Sequence, residues 1–183
     1  MISLVVALVC VACSHSEPTN TNSKVTSSPE TSKSAVPNKP FLAGVIKNVS
    51  LYPVPGRGSD LAISLVVAVR NFGAADHPDH WTLEVNSPAP GIPTGMEPVH
   101  VNGVVELPGT NKSIDLAKED LTVKGATPIS RDSQIEGVLT FVLAGIEERA
   151  LNHNSSSLIL HFKDSQGNNY QTPKTYIGKK VGE

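Results

Sequence analysis

The sequence predicts an all-β domain at residues 41–183, an antiparallel β-sandwich of about seven or eight strands, preceded by a disordered N-terminal tether. Two observations predict the sandwich. Apolar and polar residues alternate through most of the domain, which is the period of strands with one buried face. Clusters of glycine, proline and asparagine separate these segments, and no long amphipathic helix pattern lies among them, which is typical of a sandwich.

The individual strands follow from this alternation. Residues 45–52 predict a first strand, and residues 61–70 (LAISLVVAVR) predict a central strand with its larger side chains on one face. In the next strand Trp81, Leu83 and Val85 are expected to point inward. Residues 137–143 and 157–163 predict two further strands with one helical turn between them at residues 146–151, and a turn at residues 164–168 leads to a final strand near residues 170–177.

Two stretches are less regular. Asn102 and Gly103 stand between short apolar runs, and this dipeptide predicts a type I′ hairpin turn because it tolerates the positive φ angles that the turn requires. Residues 113–121 fit either a short helix, because Ser113 and Asp115 are capping residue types, or a strand.

Several residues give the domain a family resemblance. Trp81 follows a long apolar strand, as does the core tryptophan of immunoglobulin-like sandwiches, although the cysteine pair of antibody domains is missing. Residues 44–178 resemble the telokin-like immunoglobulin-fold domains of bacterial lipoproteins of unknown role. The resemblance implies a fold and no activity, and it is carried by residues 70–73 (RNFG), Gly137, Phe141, residues 158–162 (LILHF), Asp164, Gly167 and Tyr170.

The N-terminus has the features of a secretory leader. Residues 2–12 form an uncharged apolar run, shorter than the roughly 20 residues of a membrane-spanning helix but suited to a signal peptide. The ending Val11-Ala12-Cys13-Ser14 resembles the lipobox of bacterial lipoproteins, although Cys10 stands where the family usually has Leu and no Lys or Arg precedes the run. The resemblance implies a signal peptide at residues 1–12 and palmitate-type acylation of Cys13. Ordinary secretion and a buried N-terminal strand are the alternatives.

A polar segment separates this cysteine from the domain. Of the 27 residues at positions 14–40, 18 are Ser, Thr, Asn or Pro. Such a composition buries too little apolar surface to offset the entropy of ordering, so residues 13–40 are predicted to be the lipid-attachment cysteine and a disordered tether.

Composition excludes several functions. The 15 basic and 17 acidic residues give a net charge of -2, so we expect no nucleic-acid binding. Both cysteines lie in the first 13 residues, which leaves the domain without disulfides or thiol chemistry. Because the chain has neither a Gly-x-Ser-x-Gly elbow nor a phosphate-binding glycine loop, we predict that it is not an enzyme, with no catalytic residues and no cofactor.

One cluster offers an alternative function. Asp76, His77, Asp79 and His80 place two imidazoles and two carboxylates within five residues, and Zn²⁺ or Cu²⁺ accepts such ligands. A remote histidine, His100 or His161, would complete a site. The spacing matches no known metal signature, however, and an exposed polar loop explains the same residues.

The resulting hypothesis is a lipid-anchored, extracytoplasmic binding domain of the bacterial cell envelope, non-catalytic, facing the periplasm or carried on the outer membrane in a Gram-negative cell. Its partners would be the membrane, through Cys13, and an envelope protein, peptide or polymer. The loops at residues 52–60, 76–80 and 87–96 are the expected binding surfaces, since function concentrates on loops held by a rigid scaffold. The alternatives are a metal-binding protein or metal-dependent enzyme that uses the Asp76–His80 cluster, and a structural protein that pairs through its strand edges.

Overall fold

A computed structural model of the chain describes residues 39–54, 56–107, 111–151 and 155–177. The predicted signal peptide, Cys10, Cys13 and the tether up to residue 38 lie outside these residues. Within the described part, no helix is both long and apolar enough to span a membrane.

The described residues form nine strands, and every pairing between these strands is antiparallel, which confirms the all-β prediction. Sheet 1 has the order β1-β2-β6, sheet 2 has the order β3-β7-β8 with β9 also paired to β7, and β4 and β5 form a separate hairpin. This order corresponds to strands A-B-E and C-F-G of the immunoglobulin-type sandwich. The strands are β1 (Leu42–Pro53), β2 (Leu61–Asn71), β3 (Pro78–Asn86), β4 (Val104–Glu106), β5 (Ser113–Asp115), β6 (Gln134–Leu143), β7 (Ser157–Asp164), β8 (Asn169–Gln171) and β9 (Thr175–Tyr176).

The main core lies between the inner faces of sheets 1 and 2. Strand β2 is central in its sheet, as predicted, and is buried on both faces over residues 61–69. Trp81 packs on Phe162 of the neighbouring strand with their ring centroids 5.0 Å apart, and both side chains are buried. The predicted inward set of β3 is confirmed, since Trp81, Leu83 and Val85 all belong to this core.

A β-bulge at Lys47 divides strand β1 into two parts with opposite orientation. Ile46 pairs with Val67 and Asn48 with Val66, so Lys47 has no partner residue of its own. Because one extra residue shifts the two-residue period, Leu42 and Ile46 face the main core before the bulge, and Val49 and Leu51 face it afterwards. The first strand therefore presents Asn48, Ser50 and Tyr52 on the opposite, outer face of sheet 1.

The prediction of a hairpin turn at Asn102 and Gly103 is wrong. Strand β4 begins at Val104 and pairs with β5, so the connection of this hairpin lies between residues 106 and 113. The segment before the dipeptide is held elsewhere, because the Val99 amide donates to the Thr140 carbonyl of β6 at 2.7 Å. The ambiguous stretch at residues 113–121 contains a strand, β5, and leads into a single helical turn, α1 (Leu121–Lys124), whose first turn is capped by Asp120.

The last predicted strand is present but interrupted. Both β8 and β9 pair with β7, and Pro173, which has no amide hydrogen, lies between them. Thr172 bridges the gap, because its amide donates to the Leu160 carbonyl at 2.9 Å and its hydroxyl accepts from the Leu160 amide at 3.1 Å. The predicted helical turn after β6 is a 3₁₀ turn at Glu148–Ala150.

Candidate functional site

The structure arranges the side chains of the predicted metal cluster as two pairs, and in the first of them His77 Nδ1 lies 3.6 Å from Asp76 Oδ1. The Asp76 side chain is buried, and one of its carboxylate oxygens accepts hydrogen bonds from the backbone amides of His77 at 2.7 Å and Ser165 at 3.2 Å. Asp79 and His80 lie on the surface and pair with each other at 3.2 Å. Asp76 thus ties the loop to the turn after β7, while the exposed pair lines an open cavity of about 430 Å³ together with Glu97 and Lys163.

His80 has a structural role in addition to its exposure. Its φ angle is 51°, in the left-handed region that non-glycine residues seldom adopt. Asp79 pairs with Lys163 and Thr82 with His161, so His80 and Trp81 together stand opposite a single residue of β7. This bulge allows both Pro78 and Trp81 to be buried although they are three positions apart.

The two remote histidines are each engaged by a carboxylate outside the cluster. His100 Nδ1 lies 2.6 Å from Asp120 Oδ2, and His161 Nε2 lies 3.0 Å from Glu84 Oε2. The hydrogen bond with His161 lowers the pKa of Glu84 below its ordinary value. Burial opposes ionisation of Asp120, but hydrogen bonds from Thr122 and His100 outweigh it and lower its pKa.

Among the described residues, no three histidine, cysteine, aspartate or glutamate side chains are placed to hold a metal ion. The geometry therefore gives no support to metal binding by Asp76, His77, Asp79 and His80, which stays a prediction. The hydroxyl of Thr122 donates to Asp120 at 2.7 Å, so this alcohol is bound to the carboxylate of the His100–Asp120 pair.

The other predicted binding loops are mostly tied down. In the loop at residues 52–60, Asp60 accepts a hydrogen bond from the Gly145 amide at 2.9 Å, and Pro55 lies outside the described residues. In the loop at residues 87–96, Met96 is buried and its backbone pairs with Leu83. Pro53, Gly58, Ser59 and Asp60 of the first loop line a cavity of about 160 Å³, and Tyr52, at the start of that loop, lines a larger one.

That cavity is a groove between strand β1 and the strand β4 region of the hairpin, and we call it the hairpin groove. It has a volume of about 430 Å³, within the range of small-molecule sites, and it is mostly apolar. Glu106 is the one charged residue in its lining. The lining residues are Ser50, Leu51, Tyr52, Val101, Asn102, Gly103, Val104, Val105, Glu106 and Leu116.

A small apolar cluster holds the hairpin on the outer face of sheet 1. Val66 and Val138 of the sheet are buried against Leu116, and the partly buried side chains of Tyr52, Val101, Val105, Leu107 and Ile114 pack on them. This cluster is separate from the main core. The hairpin thus covers the part of the outer face around Val66 and Val138 and leaves the hairpin groove open along β1.

A row of hydroxyl groups crosses the sheet beneath the hairpin. Ser50, Ser64 and Thr140 occupy paired positions on β1, β2 and β6. The hydroxyl oxygens of Ser64 and Thr140 are 2.7 Å apart, and that of Tyr52 lies 2.9 Å from that of Ser64. The row therefore continues to Tyr52 without including Ser50.

Two buried acceptors on this face have no hydrogen-bond partner among the described residues. They are Ser50 Oγ and Asn48 Oδ1, two positions apart on β1. Ser50 is only 3% exposed and lines the hairpin groove. An unsatisfied buried polar group costs about 1–3 kcal/mol, so each one in a native protein calls for an explanation such as strain, a functional role or a bound water or ion.

Sequence reasoning did not find the hairpin groove. A signal was present, because Ser50, Ser64 and Thr140 are hydroxyl residues at outward positions of otherwise apolar strands. Their alignment across three strands depends on the register and on the Lys47 bulge, which the alternation pattern alone does not give. The predicted lipid-attachment residue, Cys13, lies outside the described residues.

Comparison with known proteins gives one structural likeness of interest. No protein-family model matches the chain, and no curated protein matches it at a significant level. A crystal structure of ycdA from Bacillus subtilis subsp. subtilis str. 168, described as a "putative lipoprotein", aligns with 79% of this chain at a TM-score of 0.41 and 16% sequence identity. The chain spans 38% of the length of that protein.

Proposed function

We propose that the protein is a lipid-anchored, extracytoplasmic domain of the bacterial cell envelope that binds a ligand without catalysis. The observation that carries the binding function is the hairpin groove with the unpartnered hydroxyl of Ser50. The order of an apolar leader, Cys13, a polar tether and a β-sandwich supports the anchor.

The lining of the groove indicates the chemistry of the ligand. Most of it is apolar, so a ligand with an apolar body gains the favourable burial of hydrophobic surface. Ser50 Oγ, the unpartnered atom that lines the groove, can accept or donate a hydrogen bond, so a polar group on the ligand would satisfy what the free protein leaves unpaired. Glu106 disfavours an anionic ligand, and we therefore propose a neutral or cationic one.

The described side chains offer less support for catalysis. His100 and Asp120 form the pair that could orient a general base, but the imidazole is mostly exposed and Thr122 binds the carboxylate. A hydroxyl or thiol nucleophile that such a base activates must be held against the imidazole. A binding function needs only the groove and the anchor, and it does not need a nucleophile held against a base.

The anchor is tested by metabolic labelling with an alkyne analogue of palmitate in a bacterial host. We expect labelling of the wild-type chain, loss of label in Cys13→Ala, and retention in Cys10→Ala, which is the matched control three residues away. Label in Cys13→Ala, or none in the wild type, would contradict the anchor.

Binding at the groove is tested by photo-crosslinking in the cell. Val104 lines the groove with 67% of its surface exposed, whereas Val123 is 63% exposed on helix α1. With benzoylphenylalanine in place of Val104 we expect a discrete adduct, and with the same group in place of Val123 we expect none. Equal adducts at both positions, or none at Val104, would count against the groove as a binding site.

A further inference from the structure

The hairpin covers only part of the outer face of sheet 1, and the part that contains the start of β1 and the end of β2 is left uncovered. We call it the exit face and define it by Phe41, Ala43, Val45, Arg70 and Phe72. Phe41, Val45 and Phe72 are 56%, 40% and 37% exposed, and they are three of the seven large apolar side chains that are exposed among the described residues.

The two aromatic residues of the exit face lie next to each other, and Arg70 lies over one of them. The rings of Phe41 and Phe72 are 5.9 Å apart between centroids, and the Arg70 guanidinium lies 5.0 Å from the centroid of the Phe72 ring. Arg70 pairs across the sheet with Ala43 on one side and with Gln134 on the other, so its neighbours in the sheet carry no charge. An ion pair between Lys47 and Glu136 marks the boundary with the part of the sheet that the hairpin covers.

The N-terminal segment of the domain is fixed beside this face. The Phe72 amide donates to the Phe41 carbonyl at 2.8 Å, and the Ala74 amide donates to the Lys39 carbonyl at 3.1 Å. A Cβ at Gly73 would come within 2.2 Å of the Lys39 carbonyl oxygen, so glycine permits this close approach. The 38 preceding residues therefore connect to the domain directly beside Phe41.

We propose that the exit face rests on the membrane surface, with Phe41 and Phe72 in the region between headgroups and acyl chains and Arg70 against anionic headgroups. This proposal rests on the proposed lipid anchor for its cellular setting. An anchor joined to the chain at residue 13 keeps the domain within the reach of a short tether, and the high effective concentration makes a weak surface contact sufficient. Aromatic and basic side chains together are typical of interfacial contacts.

The charges of the exit face fit this partner. Arg70 is its one charged member, and the exposed Lys39 adds a second cation where the chain enters the domain. Two acidic residues lie near this face, and both are paired: Glu136 with Lys47, and Asp132, whose amide donates to the Asn71 carbonyl, with Arg131. An anionic bilayer therefore meets unpaired positive charge and exposed aromatic rings on one side of the molecule.

The test uses residues 14–183, which lack the leader and the acylated cysteine but contain every residue of both apolar clusters. Flotation with vesicles of phosphatidylcholine, with and without one-third phosphatidylglycerol, measures binding. We expect association with the anionic vesicles at millimolar lipid and about a fivefold or greater loss in the double variant Phe41→Ser, Phe72→Ser. Arg70→Gln should lower binding to the anionic vesicles toward that of the neutral ones.

The matched control is the double variant Val99→Ser, Val123→Ser, which removes two apolar side chains exposed elsewhere (42% and 63%) and should float like the unchanged chain. Circular dichroism confirms that each variant is folded. Equal flotation of the two double variants, or no flotation of the unchanged chain, would overturn the proposal. A dimer in sedimentation that the Phe41→Ser, Phe72→Ser variant loses would assign the face to a second copy instead. Because this chain has no Cys13, its result is independent of the labelling result for the anchor.

Discussion

Ser50 and Ser64 stand opposite each other on neighbouring strands of one sheet, yet only the hydroxyl of Ser64 is hydrogen-bonded. Both side chains are buried, with exposures of 3% and 4%, and they share the outer face beneath the hairpin. The two serines therefore differ in what they contribute to folding, and we relate this difference to the hairpin groove that Ser50 lines.

This difference predicts opposite effects of two identical substitutions. Ser64→Ala should lower the free energy of unfolding by about 1–3 kcal/mol, because it leaves the Tyr52 and Thr140 hydroxyls without their partner. Ser50→Ala should leave stability unchanged or raise it by up to about the same amount, because it removes a polar group that is buried and unsatisfied. Urea denaturation of the two variants measures both effects. Equal destabilisation would show that Ser50 has a partner in solution.

Ionisation of Tyr170 should make the stability of the domain fall at alkaline pH. Burial, followed by the hydrogen bond to Asp164, raises the pKa of Tyr170 from 10.0 to about 12. Because the folded state favours the neutral phenol, this contribution is complete below pH 10 and is lost as the pH rises to about 12. Tyr170→Phe keeps the ring that stacks on Phe162 and should lose less stability than the wild type between pH 9 and 11.5. Urea denaturation at the two pH values measures this difference. An equal loss of stability in the wild type and in Tyr170→Phe would contradict the assignment.

Asp164 gives the corresponding prediction in acid. Burial opposes its ionisation, but hydrogen bonds from Asn168, Gln166 and Tyr170 outweigh it and hold the pKa of Asp164 below its ordinary 3.8. Its stabilising contribution is therefore present above about pH 4 and disappears as the pH falls through the lowered pKa. Asp164→Asn should flatten the acid side of the stability profile, and an unchanged profile in urea titrations from pH 6 to pH 2.5 would rule this out.

Gly73 is expected to be essential for fixing the start of the domain. In Gly73→Ala the new methyl group would collide with the Lys39 carbonyl oxygen and the Phe41 amide nitrogen, both of them backbone atoms. We expect a loss of about 1–3 kcal/mol and faster hydrogen exchange at the Phe72 and Ala74 amides, which donate to this segment. Ala75→Ser, an exposed change two residues away, is the control. Exchange at wild-type rates in Gly73→Ala would show that the segment is not held there.

His80 should be tolerant of glycine and intolerant of a β-branched residue. At a φ of 51° valine is strained, whereas glycine adopts this conformation freely. We expect His80→Val to lower the free energy of unfolding by about 1–2 kcal/mol and His80→Gly to cause no comparable loss. Thr82→Val, two residues along the same strand, should be close to neutral. A larger loss for glycine than for valine in urea denaturation would mean that the imidazole, and not the backbone, determines the effect.

More of the fold than of the candidate site could be predicted from the sequence. The long apolar run at residues 61–69 predicted the central position of β2, which is buried on both faces. Alternation predicted the inward set Trp81, Leu83 and Val85, because a strand with one buried face repeats every two residues. The Asn102–Gly103 hairpin failed because Val99 pairs with β6 instead of folding back. The hairpin groove depends on register across three strands and on the bulge at Lys47, and neither is a local property of the sequence.

The measurement that tests the central claim most directly combines stability with crosslinking in one variant. Ser50→Ala is introduced into the chain that carries benzoylphenylalanine at position 104, and the free energy of unfolding and the yield of the adduct in the cell are measured together. If Ser50 serves a ligand in the hairpin groove, the domain stays at least as stable while the adduct falls several-fold. An unchanged adduct, or a loss of stability that accounts for its decrease, would contradict the account.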